Sequence, residues 1–438
     1  MRFYIETLGC PKNTVDTEMM SVLLAQAGHK LVTRPKRADV IIVNTCGFIE
    51  PARQESVSAL QELASHKRRH QLLVAAGCMA QRFGDDIRRL VPQVDALLGT
   101  RSWAEIAALF ARLDREGKRT LSLDWIADEG NIIYSARRRP SMGATAYLKI
   151  ADGCDAACAF CAIPLIKGPQ RSKPVDEVLR EARELVDAGV REIVLIAQDT
   201  TAYGRDLGEH DALPGLLCAL ADISPSPDWL RLMYTYPQHI SPQLVETMAA
   251  LPAVCHYVDM PLQHGHPDVL QRMRRPHDAD SVLVLVDRLR DAMPDIALRS
   301  SFIVGYPGET EAEFEGLLEF MNEIAFDKVG VFGYSVEEGT PAADLSGRIP
   351  LDVIEARREH AMWVQQEISL ARNQEQLGRE LPILLEGTSD GLSVGRSYRE
   401  APEVDGMVLM PGELPVGEFI KTRIVAAQEY DLVAEAIL

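Results

Sequence analysis

The chain has 438 residues and carries 46 Lys and Arg against 64 Asp and Glu, which gives a formal net charge of −18 at pH 7. Such an acidic excess argues against a protein that wraps DNA or RNA by neutralising phosphates, and it favours a basic partner. The longest apolar runs fall far below the roughly 18 residues that cross a bilayer, so no membrane segment is expected.

The length and the N-terminus suggest the domain number and the compartment. A chain of 438 residues suggests about three domains. The sequence begins MRFYIETLGC, which lacks the basic segment and apolar core of an export signal. The eight cysteines are therefore expected in the reducing cytoplasm rather than in disulfides.

Residues 1–125 alternate apolar runs with amphipathic segments. The runs predicted as strands are 2–7, 40–43, 72–75 and 94–98, and the segments predicted as helices are 14–27, 51–66 and 81–90. Repeated β-α units predict a parallel sheet with helices on both faces. We therefore expect an N-terminal parallel α/β sandwich.

Three cysteines follow predicted strands of this first domain: Cys10, Cys46 and Cys78. Ligands of open α/β sheets bind beyond the carboxyl ends of the strands, where these loops converge. Each cysteine alone reads more readily as an ordinary core residue, because free cysteine is often buried. Together they favour a site with three thiolates, whereas Cys218 and Cys255 have no such setting and are expected in the core.

Residues 140–375 repeat the β-α pattern after a polar linker at Arg137–Pro140, which is expected to be a solvated loop. The predicted strands are 146–151, 193–198, 230–235, 255–261, 298–305 and 328–335. Parallel strands of this kind form a whole or a partial TIM-like β/α barrel, with its chemistry at the C-terminal rim.

The first of these strands leads into a C-x3-C-x2-C array of Cys154, Cys158 and Cys161. A 4Fe-4S cluster normally takes four thiolates, so three leave one iron open to another ligand. The alternative is zinc, which prefers four ligands in paired C-x2-C spacing. No second C-x2-C pair follows, so the array favours an iron-sulfur cluster.

Other rim positions offer polar or flexible groups to a cofactor. Gln198 follows the second strand, and the GYPGET turn after the fifth strand contains Gly305, Gly308 and Glu309. A glycine-rich turn of this kind presents backbone donors, and Thr310 is predicted to cap the next helix. No side chain is predicted as catalytic beyond the cluster ligands, and His264 is expected to line the pocket or cap a strand.

The last domain, residues 376–438, begins at the end of a long helix predicted at 350–378. Short runs rich in β-formers at 383–386, 407–410 and 419–425 predict a small antiparallel β-barrel. From 379 to 438 there are five basic and eleven acidic residues, a net charge of 5 − 11 = −6. We expect Glu400, Glu403 and Asp405 to contribute to an acidic docking surface.

The chain resembles the methylthiotransferases of the radical S-adenosylmethionine superfamily nearly from end to end. The resemblance rests on LGCPKN, NTCGF, AGCMAQR, GCDAACAFCAIP, QDTTAYG, SSFIVGYPGET and a tail like the family's TRAM barrel. Two sets of three cysteines in this order are highly specific. Softer motifs, MPLQH, YSVEEGTPA and APEVDG, are closest to the RimO type, which modifies an aspartate of small-subunit ribosomal protein S-twelve.

The resemblance implies two 4Fe-4S clusters and S-adenosylmethionine as cofactors. The ligands it implies are Cys10, Cys46 and Cys78 for one cluster and Cys154, Cys158 and Cys161 for the other, with Phe160, Gln198, Gly305, Gly308 and Glu309 near S-adenosylmethionine. One S-adenosylmethionine supplies the radical that takes a hydrogen from the aspartate β-carbon, and a second supplies the methyl group. An external electron donor and a sulfur donor are then required.

The sequence is also compatible with two other functions. One is the MiaB type of enzyme, which methylthiolates adenosine in tRNA and for which a basic tail would be expected. The other is a non-enzymatic iron-sulfur electron carrier, which leaves the GYPGET turn and the whole barrel unexplained.

Overall fold

The N-terminal residues form a six-stranded parallel sheet in the computed structural model, which describes residues 1–116, 123–126, 138, 143–276 and 278–437. The spatial order is β2-β1-β3-β4-β5-β6. The strands are β1 Arg2–Thr7, β2 Lys30–Leu31, β3 Val40–Thr45, β4 Leu72–Gly77, β5 Ala96–Gly99 and β6 Leu123–Trp125. Strands β3 and β4 are buried along their whole length because helices cover both faces of the sheet.

The helices of this unit are α1 Pro11–Gln26, α2 Glu50–His66, α3 Cys78–Arg82, α4 Gly84–Leu90 and α5 Ile106–Glu116. The four predicted strands and their order along the chain are confirmed, and the parallel α/β architecture with them. The helix predicted at 81–90 is two helices, because Phe83 leaves the helical conformation between them. Helix α3 begins directly at Cys78, so that cysteine lies at the end of β4.

A second six-stranded parallel sheet occupies the middle of the chain. Its strands are β7 Thr145–Lys149, β10 Glu192–Ile196, β11 Trp229–Leu232, β12 Val254–Asp259, β13 Ala297–Val304 and β14 Lys328–Gly333, in that spatial order. The short strands β8 Ala151–Asp152 and β9 Arg171–Ser172 pair separately. The described strands β7 and β14 do not pair with each other, so the barrel is partial rather than closed.

Six helices cover the outer face of this partial barrel: α7 Val175–Asp187, α8 Leu213–Ala221, α9 Pro242–Ala250, α11 Ala279–Ala292, α12 Glu311–Ile324 and α13 Leu351–Gln374. The short helices α6 Ile163–Lys167 and α10 Pro267–Arg272 lie at its C-terminal rim. The inner face contributes Tyr147, Trp229 and Tyr257 to a core shared with Phe3 of the first sheet and Leu384 of the tail. The open side of the barrel is therefore covered by the rest of the chain.

The tail forms a closed five-stranded barrel in the order β15-β16-β17-β19-β18. Its strands are β15 Glu380–Ser389, β16 Leu392–Arg396, β17 Val408–Pro411, β18 Phe419–Ala427 and β19 Leu432–Ala436. The predicted barrel is confirmed, although β17 and β19 pair in parallel and the short strands β16 and β19 were not predicted. The described helices include none that is long and apolar enough to cross a membrane.

Buried ion pairs attach this small barrel to the partial barrel at the end where the parallel strands begin. Glu192, the first residue of β10, accepts hydrogen bonds from Arg231 at 2.7 Å and from Arg396 at 2.5 Å. Burial would raise the pKa of Glu192, but the guanidinium groups of Arg396 and Arg231 lower it to about 2. Trp229 packs edge-on against Phe419 at the same end.

The acidic docking surface expected in the tail is wrong for two of its three residues. Glu400 is 1 % exposed and accepts hydrogen bonds from the backbone and hydroxyl of Ser397. The Asp405 side chain is 2 % exposed and bonds Arg299 and Tyr257. Both carboxylates support internal contacts, because the segment folds against the barrel rather than into solvent.

Two further expectations are corrected. Arg138, expected in a solvated loop, is buried and pairs with Glu18 and Glu181, while residues 137, 139 and 140 lie outside the described residues. Cys255 is buried as expected, but Cys218 is exposed on α8 because it lies on the outer side of that helix.

Replacing Glu192 by Gln should destabilise the protein strongly, because Arg231 and Arg396 then lose their buried carboxylate. The expected loss in free energy of unfolding is about 3–5 kcal/mol, measured by urea denaturation. Glu380→Gln is the matched control, since Glu380 pairs with exposed Lys421 and Arg423 and its replacement should cost much less. Equal losses in both variants would contradict the assignment of this contact.

The Glu192 carboxylate also predicts a pH dependence. Because its folded pKa is below the ordinary value of 4.5, its stabilisation is present above that value and is lost as pH falls toward about 2. The wild type should therefore lose more stability than Glu192→Gln between pH 5 and pH 2.

Candidate active site

One cavity of about 300 Å³ lies between the first sheet and the C-terminal rim of the partial barrel. Both predicted cysteine sets line it: Cys10, Cys46, Cys78, Cys154, Cys158 and Cys161. The cysteines are free thiols. The carboxyl ends of strands from two different sheets thus face one another across a single space.

The first set is held by loops that are bonded to each other. The Asn13 side chain donates to the carbonyl oxygens of Leu8 and Thr45, and the Cys78 thiol lies 3.8 Å from Asn13 Oδ1. Ser56 bonds both the backbone N–H and the carbonyl of Cys46 at 3.0 Å. These contacts fix the three cysteines relative to one another before any ligand binds.

Gly9 allows the Cys10 loop to pass close to Cys46. Its φ is +90°, and a Cβ at this position would lie 2.8 Å from Cys46 Cβ and 3.1 Å from its Sγ. Only glycine adopts this conformation without strain and leaves that space. The glycine is therefore required by the cysteine geometry.

The second set receives hydrogen bonds from backbone and side chains. The amide of Ala156 lies 3.4 Å from Cys154 Sγ, and the amide of Ile163 lies 3.5 Å from Cys161 Sγ. Arg275 Nη1 donates to Cys158 Sγ at 3.3 Å. Donors of this kind stabilise sulfur that carries negative charge, as a thiolate ligand does.

Burial favours the protonated form of four of these thiols. It raises the pKa of Cys78 and Cys161 to about 12 and that of Cys154 to about 11, and it raises the pKa of Cys46. Thiolate is the form that binds metal, so metal binding must displace these protons. Binding of iron by these cysteines therefore releases protons.

The donor groups of the cavity suit iron-sulfur clusters better than a single zinc ion. Each side offers three cysteine sulfurs, and the described cavity lining includes no His, Asp or Glu as a fourth ligand. Structural zinc takes four such ligands. A 4Fe-4S cluster held by three thiolates keeps one iron open.

The structure brings only part of the expected S-adenosylmethionine site to this cavity. Phe160 and Gln198 line it, whereas Gly305, Gly308 and Glu309 do not. The backbone N–H groups of Gly305 and Tyr306 donate to Glu309 Oε2 at 2.9 and 3.2 Å. The donors of this turn are thus occupied within the protein, and its contact with a cofactor stays a prediction.

The GYPGET segment has a structural role of its own. Glu309 is buried and pairs with Arg357 of α13 at 2.8 Å. Thr310 caps α12, as predicted, by accepting from the Glu313 amide. His264 is buried beside Glu309 rather than in the cavity, and burial lowers its pKa to about 3.

The cavity also contains polar residues that were not predicted as ligands or cofactor contacts: Lys12, Asn13, Tyr234, Gln263 and Arg275. Tyr234 and Gln263 adopt φ values of +61° and +77°. Such backbone conformations in non-glycine residues are costly and concentrate at functional sites. The sequence signals for them are the LGCPKN motif, which contains Lys12 and Asn13, and the position of Gln263 after a predicted strand.

A buried group of four charges lies beside the cavity and joins the two units. Asp16 of α1 contacts Lys149 of β7 at 2.5 Å and Lys167 of α6 at 3.3 Å, and both lysines also contact Asp152. Burial would raise the pKa of Asp152, but the two ammonium groups hold it below its usual range. Gln198 donates to Asp152 at 2.8 Å.

A second ionic contact closes the other side of the interface. Glu337, in the YSVEEGTPA motif, accepts from Arg53 of α2 at 2.5 Å and from Arg82 of α3 at 2.7 Å. This motif therefore connects the partial barrel with the loops that carry the first cysteine set.

Three family models match the chain in succession. Residues 2–99 match the Uncharacterized protein family UPF0004, residues 148–321 match the Radical SAM superfamily, and residues 377–437 match the TRAM domain. Each match falls on one of the three sheets described above.

Curated relatives match over the full length. The chain is 50 % identical to the ribosomal protein uS12 methylthiotransferase RimO of Herpetosiphon aurantiacus, with 100 % of both chains covered. It is also 50 % identical to the protein of that name from Chloroflexus aurantiacus, again with 100 % of both chains covered.

A solved structure shares the fold. It is the radical S-adenosylmethionine methyltransferase TsrM from Kitasatospora setae with cobalamin and a 4Fe-4S cluster bound. The TM-score is 0.59 and the identity 14 %, with 90 % of this chain and 80 % of TsrM covered.

The role of Gly9 can be tested by comparing two glycines. Gly9→Ala should displace Cys46 and remove up to about four irons, the content of one cubane, after anaerobic reconstitution. Gly28→Ala introduces the same left-handed strain, at φ +82°, where no atom lies within 4 Å of the added Cβ. It should lose stability of about 1–2 kcal/mol but no iron. Unchanged iron in Gly9→Ala would contradict this role.

Proposed function

The chain belongs to the ribosomal protein uS12 methylthiotransferase RimO family, and from that membership we propose that it methylthiolates the β-carbon of an aspartate in uS12, the small-subunit protein S-twelve. It is a radical S-adenosylmethionine enzyme, and its family implies S-adenosylmethionine and a 4Fe-4S cluster. The observation that carries the proposal is the convergence of two three-cysteine sets on one cavity.

The proposed ligands are Cys154, Cys158 and Cys161 for a first cluster and Cys10, Cys46 and Cys78 for a second. When bound, the first cluster and S-adenosylmethionine supply the radical, and the second supplies the site for the sulfur that is transferred. Three thiolates in each set leave one iron open in each cluster. The proposal therefore requires a reductant and a sulfur donor from outside the chain.

The protein's own side chains orient and shield these groups. Arg275 donates to Cys158 Sγ and lies over the ring of Tyr236, whose hydroxyl is 3.5 Å from the same sulfur. Phe160 and Phe48 add apolar surface to the cavity wall. Apolar surface excludes water from a cavity, and this protects reactive species from side reactions.

The net charge of −18 supports a basic protein substrate over tRNA. Opposite charges accelerate encounter, whereas an acidic surface repels RNA phosphates. Methylthiolation of tRNA is therefore the less favoured alternative.

The two clusters are expected to be separable. Wild type should hold about eight irons, and the triple Ala variants of either cysteine set should hold about four. Cys158→Ala should abolish reductive cleavage of S-adenosylmethionine, while Cys46→Ala should retain cleavage and lose methylthio transfer. If Cys46→Ala stops 5′-deoxyadenosine formation as completely as Cys158→Ala, the division of roles is wrong.

The substrate is tested in cells that lack the gene. Mass spectrometry should show uS12 without its methylthio group and bulk tRNA modification unchanged, and the wild-type gene should restore uS12. Unmodified tRNA together with intact uS12 modification would contradict the proposal.

A further inference from the structure

Lys12 is a largely buried residue of the cavity wall, and its ammonium group has no ionic partner among the described residues. The residue is 7 % exposed and lines the cavity. Its Nζ makes no hydrogen bond or ion pair with any described residue, and its contact is the ring of Tyr234, 3.0 Å from Nζ to the centroid. One residue, Pro11, separates it from Cys10, so it lies on the wall formed by the first cysteine set.

The other buried lysines of the described chain all have oxygen partners. Lys149 and Lys167 bond Asp16 and Asp152, Lys173 bonds Glu181, and Lys328 donates to the carbonyl of Tyr430. An unpaired buried ammonium is unfavourable, and a cation–π contact offsets only part of its lost hydration. Lys12 therefore fits an anion that arrives from outside the chain.

Nearby carboxylates are engaged elsewhere and do not provide that anion. Asp259 accepts from Arg299 at 2.7 Å and from the backbone of Tyr234 at 3.0 Å. Asp152 is shared by Lys149 and Lys167. The charges around Lys12 are thus satisfied while Lys12 itself is not.

The Tyr234 ring that contacts Lys12 belongs to a residue held by two backbone hydrogen bonds. Tyr234 is held at φ +61° by the bond from its amide to Asp259 and by the bond from the Thr200 amide to its carbonyl, 3.0 Å each. Arg299 in turn joins Asp259 to Asp405 of the small barrel. Strain maintained by such a network places the aromatic ring where the ammonium contacts it.

We propose that the Lys12 ammonium binds the β-carboxylate of the substrate aspartate and thereby selects aspartate over asparagine. The inference rests on the proposed function. Arg275 contacts Cys158, so a different cation already lies beside the second cysteine set, and Lys12 is left for an anion nearer the first. The β-carbon is bonded directly to the carboxylate carbon, so binding that group fixes the carbon that reacts.

The test measures binding of two peptides to the iron-loaded protein by fluorescence anisotropy. Both peptides span the modified aspartate of uS12, and one carries Asn in its place. Wild type should prefer the Asp peptide by about 10- to 100-fold, the range of a hydrogen bond between charged groups. Lys12→Met should lose that preference and bind the Asn peptide as wild type does, whereas Lys12→Arg should retain much of it.

Lys36→Met is the matched control, because it removes the same charge from an exposed position. It should keep the wild-type preference, and iron content should confirm that each variant holds both clusters. If Lys12→Met keeps the preference, Lys12 does not bind the carboxylate, although uS12 modification by wild type would leave the proposed function standing.

Two further outcomes also overturn the inference. Weaker S-adenosylmethionine binding by Lys12→Met in equilibrium dialysis, with the Asp preference retained, would assign Lys12 to the cofactor. Failure of wild type both to bind the Asp peptide and to modify uS12 would remove the proposed function itself, and this inference with it.

Discussion

The buried contact of Asp16 with Lys149 and Lys167 is the constraint on which the site depends. Asp16 lies on the helix that follows Cys10, Lys149 ends the strand before Cys154, and Lys167 ends the helix after Cys161. One group of charges therefore fixes both cysteine loops. Such groups are costly to bury and contribute more to a defined geometry than to stability. Here the geometry is a cavity that takes three cysteines from each side.

The small C-terminal barrel is also joined to the rest of the chain by buried ion pairs. Its Arg396 pairs with Glu192 at the lower end of the partial barrel, and its Asp405 pairs with Arg299. Arg299 holds Asp259, which holds the strained backbone of Tyr234 in the cavity wall. The barrel is thus connected, through successive ion pairs and a hydrogen bond, to Tyr234, whose ring contacts Lys12.

The sequence predicted the three-part fold because β-α alternation and short β-rich runs are local patterns. It also singled out the six cavity cysteines, since their spacing and their position after strands are visible in the chain. It did not indicate Tyr234 or Arg275, whose importance arises from backbone conformation and long-range packing. The prediction of an acidic surface at Glu400 and Asp405 was wrong for the same reason. The sequence shows that Asp405 is charged, but it does not show the ion pair that this residue forms with Arg299.

The central claim is that two clusters share one cavity, and electron paramagnetic resonance of the reduced, fully loaded protein tests it most directly. Spectra of the two triple cysteine variants give each cluster alone. Because both cysteine sets line the same space of about 300 Å³, the wild-type spectrum should show magnetic interaction between the clusters. A wild-type spectrum equal to the sum of the two single-cluster spectra, with unchanged relaxation, would contradict the account.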